Sequence, residues 1–296
     1  MPPAAHVRAQ AKINVWLHVL GPRPDGFHEL RTLFHRIELA DELTIRTSDA
    51  TSRSLDVSGP MQPSLGPGRG DPTQNLAYRA ADEFRARTGW PRGFEIHLIK
   101  NIPVGGGLGG GSADAGAVLR ALNALAPAPL AESELHALAL SLGSDVPFFA
   151  TELAAALAQG RGESLSNERI TMPPADVVLV APSVSIATAD AYRWLRESGR
   201  YHRATTRADA APASSWNAMD QGNTFEPVVE ARHPELRSYR ESLAKAGATI
   251  ARLSGSGSTV FGLFEAGAPG DSELGIDAPV IRTRTAKNVV QVEAGE

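Results

Sequence analysis

Six glycines stand within the seven residues Gly105 to Gly111, between a segment that reads as a strand and one that reads as a helix. Such a run costs backbone entropy and packs nothing, so folding alone gives little reason for it. What it offers is a set of amide N–H groups free to turn toward a ligand and delivered to a helix N-terminus. Together these make an anion site, to which Ser112 can add a hydroxyl. A plain flexible loop is the alternative, although flexible loops draw on Ser, Asn and Asp as well.

The surrounding residues narrow the kind of anion site. A P-loop needs Gly-Lys-Ser/Thr at the helix start, and here Gly111 is followed by Ser112 and Ala113. Gly105, Gly107 and Gly110 satisfy the dinucleotide pattern, but that fold then wants a second strand with an acidic residue about 20 positions on. The chain instead gives Ala126-Pro-Ala-Pro129 and another helix. With 29 Lys and Arg against 33 Asp and Glu, the net charge of −4 argues against broad contact with a nucleic-acid backbone, so the anion must be held by a local device. The absence of cysteine excludes disulfides, thiolate metal sites and cysteine nucleophiles. No signal-peptide pattern opens the chain and no run of 18 apolar residues occurs, which predicts a soluble cytoplasmic enzyme, away from membranes.

The periodicities predict an α+β fold. Ala11 to Val19 alternates, with Lys12, Asn14, Trp16 and His18 on one face. Leu33 to Ile45 reads as further strand, broken at Ala40-Asp41-Glu42. Thr73 or Asn75 caps a helix to about Arg87, Phe94 to Leu98 is a strand, and helices are expected over Ala113–Leu125 and Ala131–Leu142. A polar stretch, Glu163 to Pro174, is the best boundary, dividing the chain into 1–168 and 169–296. Beyond it, strands and helices mix without regular alternation, which favours α+β over a doubly wound sheet.

A phosphate cradle without a Walker lysine still needs a cation and a base. Lys12 shares its strand face with Asn14, roughly 7 Å away, so both can enter one cleft; otherwise Lys12 is a solvated lysine on an edge strand. Asp145 is an acid inside the apolar loop Gly143 to Phe149, where Pro147 is expected to hold Val146 extended. It is either the base or merely the cap of the next helix. Ser254-Gly-Ser-Gly-Ser258 is a hairpin connection or a second set of backbone donors over the ligand. Asp25 to Glu29 places an aromatic ring beside an imidazole, although a lone histidine in a turn is usually just exposed. Thr32, not histidine, follows His28-Glu29, so no zinc-protease helix is present.

Three of these segments, in this order, resemble the GHMP kinase superfamily: Ala11-Lys-Ile-Asn14, Pro103 to Asp114, and Leu253 to Phe261. Asp25 to Leu30, the long glycine form, Gly143 to Phe149 and Ala181 to Ile186 are similar to its members that phosphorylate 4-diphosphocytidyl-2-C-methyl-D-erythritol, in the non-mevalonate route to isoprenoids. The resemblance implies a two-domain fold, ribosomal-protein-S5-like then ferredoxin-like, with ATP and Mg²⁺ as cofactors and a cytidine-diphosphate alcohol as acceptor. It implies Asp145 as base and Lys12 as its electrostatic partner. Pro103, Val104, Gly105, Gly106, Gly107, Leu108, Gly109, Gly110, Gly111, Ser112 and Ala113 would hold the nucleotide, with Asn75 and Lys100 near it. Asn14, His28 and Thr188 would hold the acceptor, with Phe27 and Tyr192 sandwiching the cytosine. Phe27 stands where these kinases usually have Tyr, Tyr192 where they have Phe, and Ala113 where they often have Ser. A kinase for another small alcohol, such as homoserine or mevalonate, is the nearest alternative, and an inactive nucleotide-binding module the next. No carboxylate pair with metal-site spacing stands out.

Overall fold

The computed structural model describes residues 3–61, 71–166, 170–202, 216 and 222–295. Two long strands, β1 (Ala4–Pro22) and β2 (His28–Ser48), form an antiparallel pair at the centre of the larger sheet. β3 (Arg53–Ser58) runs parallel to β4 (Gly93–Ile99), and β4 pairs with the far half of β2. β5 (Ala155–Gly160) pairs with the near half of β2 and with β6 (Ser164–Leu165). The helices α1 (Leu76–Thr88), α2 (Gly110–Leu125), α3 (Glu132–Leu142) and α4 (Val146–Ala150) supply the apolar side chains that bury this sheet, among them Phe84, Leu119, Leu122 and Phe148.

A second, antiparallel sheet holds β7 (Asp176–Val180), β8 (Ile250–Leu253), β9 (Val260–Phe264) and β10 (Val280–Arg284) in the order β10-β7-β9-β8. It is accompanied by α5 (Thr188–Ser198), α6 (Glu226–Glu230), α7 (Pro234–Lys245) and α8 (Asp271–Leu274). The two sheets share a core in which Ala11, Ile13 and Val15 of β1 meet Val177, Leu179, Phe261 and Leu263. β11 (Glu293–Gly295) then returns to pair with β1, so the end of the chain closes the larger sheet. This is the expected α+β arrangement. The expected division at 168/169 lies outside the described residues.

Four local expectations are corrected. β2 runs unbroken through Ala40-Asp41-Glu42, because the fully buried Asp41 finds internal donors: Asn101 N at 2.6 Å, Ile102 N at 2.9 Å, and the Lys100 ammonium. The alternation of β1 is interrupted by register shifts between Gln10 and Lys12 and between Asn14 and Trp16, and the second moves Trp16 into the core between the sheets, beside Val15. α2 begins at Gly110, three residues before the expected start. Val146 is helical rather than extended, since Pro147 falls in the first turn of α4, where its missing N–H costs nothing.

Two outcomes test this packing. A Cβ on Gly116 would lie 2.5 Å from Phe149 Cβ and 2.6 Å from its carbonyl carbon, so α2 meets α4 through a residue with no side chain. Helix propensity alone favours Gly116→Ala by about 1 kcal/mol, but overpacking costs about 1–3 kcal/mol. A net loss of stability is expected in urea denaturation, and a gain would contradict the close approach. Buried His35, whose Nδ1 lies 2.7 Å from the Arg36 carbonyl, is pushed down to about 4 by burial. Its neutral form stabilises the fold above the unfolded value of about 6.5, and that contribution, on the order of 3 kcal/mol, is lost as pH falls from there toward 4. His35→Gln should flatten the acid limb of Tm against pH, and an identical slope would remove His35 from it.

Candidate active site

Where β1, β2, the glycine loop, the start of α4 and α5 converge, a cleft of about 800 Å³ opens. Lys12 sits at its floor, 3% exposed. With its side chain buried and its backbone N–H donating to the Leu108 carbonyl at 3.0 Å, Lys12 is not the solvated edge-strand lysine that its spacing left open. Its Nζ donates to Asn14 Oδ1 at 2.6 Å and to the Gly107 carbonyl at 2.8 Å, and faces Asp145 Oδ2 at 3.8 Å. Burial lowers the pKa of the ammonium, while Asp145 pulls the other way.

Asp145 does occupy the N-cap position of α4, yet its side chain makes no capping bond, which leaves the carboxylate directed at Lys12. The far end of this short helix is anchored by Arg36. That buried guanidinium donates to the carbonyls of Phe148 (3.0 Å), Phe149 (3.2 Å), Thr151 (3.0 Å) and Leu153 (3.0 Å). A cation among helix C-terminal carbonyls is electrostatically favoured, although burial pulls its pKa down to about 9, with Arg120 adding repulsion.

The glycine loop turns through left-handed backbone at Gly105, Gly107 and Gly109. Gly107 admits no other residue, since a Cβ would also lie 2.1 Å from the Ser254 carbonyl oxygen. The 254–258 segment connects β8 to β9 and also grips the loop from beneath. Ser254 Oγ donates to Gly107 O at 2.9 Å and Thr259 N to Gly106 O at 3.2 Å, while Lys12 N takes Leu108 O at 3.0 Å. In a trans peptide the N–H points away from its own C=O. With these three carbonyls held by the protein, the amides of Gly107, Leu108 and Gly109 are turned the other way. The serine loop therefore acts through the glycine carbonyls, and Gly255 and Ser256 line the cleft beside it.

Every residue expected to bind nucleotide lines this cleft except Ala113, which is 1% exposed and packed in the core on α2. Asn75 is present, but its Oδ1 caps α1 by accepting from Ala77 N at 2.8 Å. Lys100 is present too, with its Nζ held between Asp41 and Asp114, the latter at 2.7 Å. Burial opposes that ammonium, but the two carboxylates outweigh it and its pKa lies above the ordinary value. Burial also drives the Asp114 carboxyl well up.

At the other end of the cleft, Tyr192 stacks on His28 with ring centroids 4.6 Å apart, and Arg161 lies 4.6 Å from the half-exposed ring of Phe27. The two rings expected to face each other are thus each paired with a different neighbour. His28 is buried with no hydrogen-bond partner at Nε2; burial and then Arg196 depress its pKa. Burial and the Asp145 charge push the Tyr192 hydroxyl up to about 12. Thr188 Oγ1 lies 3.3 Å from Ser256 Oγ.

Sequence reasoning missed Arg161, Arg196, Ser144 and Thr32, all on the cleft wall. Arg196 was findable as the residue one helical turn after Tyr192. Thr32 was noticed only for not being histidine. Among the described residues no group of three acidic or imidazole side chains could hold a metal ion, and no helix is long and apolar enough to cross a membrane.

Comparison with known proteins agrees with this geometry. Residues 75–152 match the model of the GHMP kinases N-terminal domain, and 203–272 that of the GHMP kinases C-terminal domain. A 4-diphosphocytidyl-2-C-methyl-D-erythritol kinase from Pelotomaculum thermopropionicum is 44% identical over 260 residues, covering 86% of this chain and 87% of its own length. A crystal structure of 4-(cytidine 5'-diphospho)-2C-methyl-D-erythritol kinase, 34% identical, superposes with a TM-score of 0.72 over 95% of this chain and 98% of that one. A homoserine kinase from Cytophaga hutchinsonii shares the fold, at 17% identity and a TM-score of 0.68, with 98% of this chain and 97% of that one covered. With two sheets, a glycine loop and a fused pair of matching halves, the chain belongs to the 4-diphosphocytidyl-2-C-methyl-D-erythritol kinase family of the GHMP kinases.

Proposed function

We propose that this chain transfers the γ-phosphoryl group of ATP to the 2-hydroxyl of 4-diphosphocytidyl-2-C-methyl-D-erythritol. One observation carries the reading: a single cleft holds the Lys12–Asp145 pair between the glycine loop at one end and the Phe27, His28 and Tyr192 cluster at the other. The glycine amides suit the nucleotide phosphates. The unpaired, buried Nε2 of His28 suits the polar edge of a nucleobase, because an orphaned buried group gains more from a partner than a solvated one. Residues 1–168 and 169–296 would be the two halves that bound the cleft.

Asp145 accepts the proton of the 2-hydroxyl as its oxygen bonds to the γ-phosphorus, and the bond from that phosphorus to the β-γ bridging oxygen breaks to release ADP. Lys12 stands beside the carboxylate and balances the charge that spreads over the moving phosphoryl. Phosphoryl transfer asks mainly for such positioning and electrostatics. Mg²⁺ would accompany ATP as part of that substrate and would offset the charge of the phosphates. Asn14 holds the acceptor end of the alcohol, and Thr188 borders the same wall.

ADP release with ATP and Mg²⁺ is the direct test, using the cytidine substrate against homoserine and mevalonate. Turnover of the cytidine compound alone is expected, and turnover of another alcohol instead would sink the nucleobase assignment. Asp145→Asn should lower kcat by at least about 10²-fold with little change in ATP binding. Lys12→Ala should also lower kcat, and an effect confined to KM would make Lys12 a binding residue only. For His28→Ala, KM for the cytidine substrate should rise about 10-fold while KM for ATP holds; equal losses would count against His28 reading the base.

A further inference from the structure

A carboxamide can face an ammonium with its oxygen or with its NH₂, and only the oxygen can accept. Asn14 beside Lys12 has that choice, and the fully buried hydroxyl of Thr32 settles it. Thr32 Oγ1 lies 2.6 Å from the Trp16 carbonyl, which cannot donate, so the single hydroxyl proton goes there. The same oxygen lies 2.8 Å from Asn14 Nδ2, and with its proton committed it can only accept. The NH₂ of Asn14 must face Thr32, and its Oδ1 is left for Lys12 Nζ at 2.6 Å. The register shift between Asn14 and Trp16 makes this possible, by bringing the amide of one and the carbonyl of the other to one hydroxyl across the β1–β2 pair, where Thr32 pairs with Leu17.

We infer that Thr32 is a positioning residue for the phosphoryl transfer, acting through Asn14 to keep an acceptor on the Lys12 ammonium and so to keep that charge beside Asp145. The kinetic part of this rests on the function proposed above. The charged group facing Lys12 is Asp145; its other neighbours, Asn14, the Gly107 carbonyl and the Phe34 ring 5.5 Å from Nζ, are neutral. Without the Thr32 hydroxyl, Asn14 can turn its NH₂ toward Lys12, two donors then meet, and the charged lysine is disfavoured.

The test compares the full-length wild type with Thr32→Val, which keeps the shape and removes the hydroxyl, and Thr32→Ser, which keeps the hydroxyl. Thr32→Ala repeats the comparison should the valine variant fail to fold. The chain has four lysines, Lys12, Lys100, Lys245 and Lys287, so the Lys12 titration can be followed by carbon-13 NMR of labelled lysine without any substrate. Thr32→Val should lower the Lys12 midpoint by about one pH unit and move the alkaline limb of kcat down by about the same amount. On the alkaline side of that limb, kcat at a given pH should fall about 10-fold with KM for ATP changed by less than about twofold, and Thr32→Ser should restore all of these. An unmoved Lys12 midpoint in Thr32→Val, or equal impairment in Thr32→Ser, would overturn the inference. Absence of turnover in the wild type would instead strike the proposed function, while the lysine titration would still decide the role of Thr32.

Discussion

The burial of one ammonium group sets the terms for this fold. Taking Lys12 out of water costs several kcal/mol unless its protons find acceptors and its charge finds a counterpart. Those partners come from three places: Asn14 on the same strand, the Gly107 carbonyl in the glycine loop, and Asp145 at the start of α4. No local segment supplies all of them. The chain must bring a central strand, a strand-to-helix loop and a short helix to one point, and the surrounding architecture does that.

Two other buried charges follow the same rule. Arg36 is satisfied by four carbonyls at the end of α4, and Asp41 by two backbone amides and Lys100. Each is bound to main chain next to a functional segment: Arg36 at the far end of the helix that Asp145 begins, Asp41 at the residues that lead into the glycine loop. A site assembled this way has its dipoles oriented before a ligand enters, which is where electrostatic stabilisation of a transferring phosphoryl gains its strength.

The glycine run, Lys12, Asn14 and Asp145 were legible because each breaks a local expectation: glycines where nothing packs, a lysine and an amide on a strand face, an acid in an apolar loop. Asp41 broke an expectation as well, but it was read as a strand break, since sequence spacing cannot show the donors that lie some sixty residues away. The bulges of β1 were hidden for a related reason. A residue inserted in one strand leaves the alternation readable on either side, and its displacement of Trp16 appears only when the partner register is known. Phe27 and Tyr192 both line the cleft, yet their ring partners are Arg161 and His28, whose positions are set by the β5–β6 turn and β2.

The Gly107 carbonyl accepts from Lys12 of the larger sheet and from Ser254 in the connection between two strands of the smaller one. One oxygen thus serves as a rivet through both halves of the molecule. Any hinge-like parting of the sheets would take one of its two donors away and break the link between the halves. Ligand exchange in this enzyme should accordingly be governed by rim elements such as the Phe27 turn and α5, with the floor remaining shut throughout the catalytic cycle.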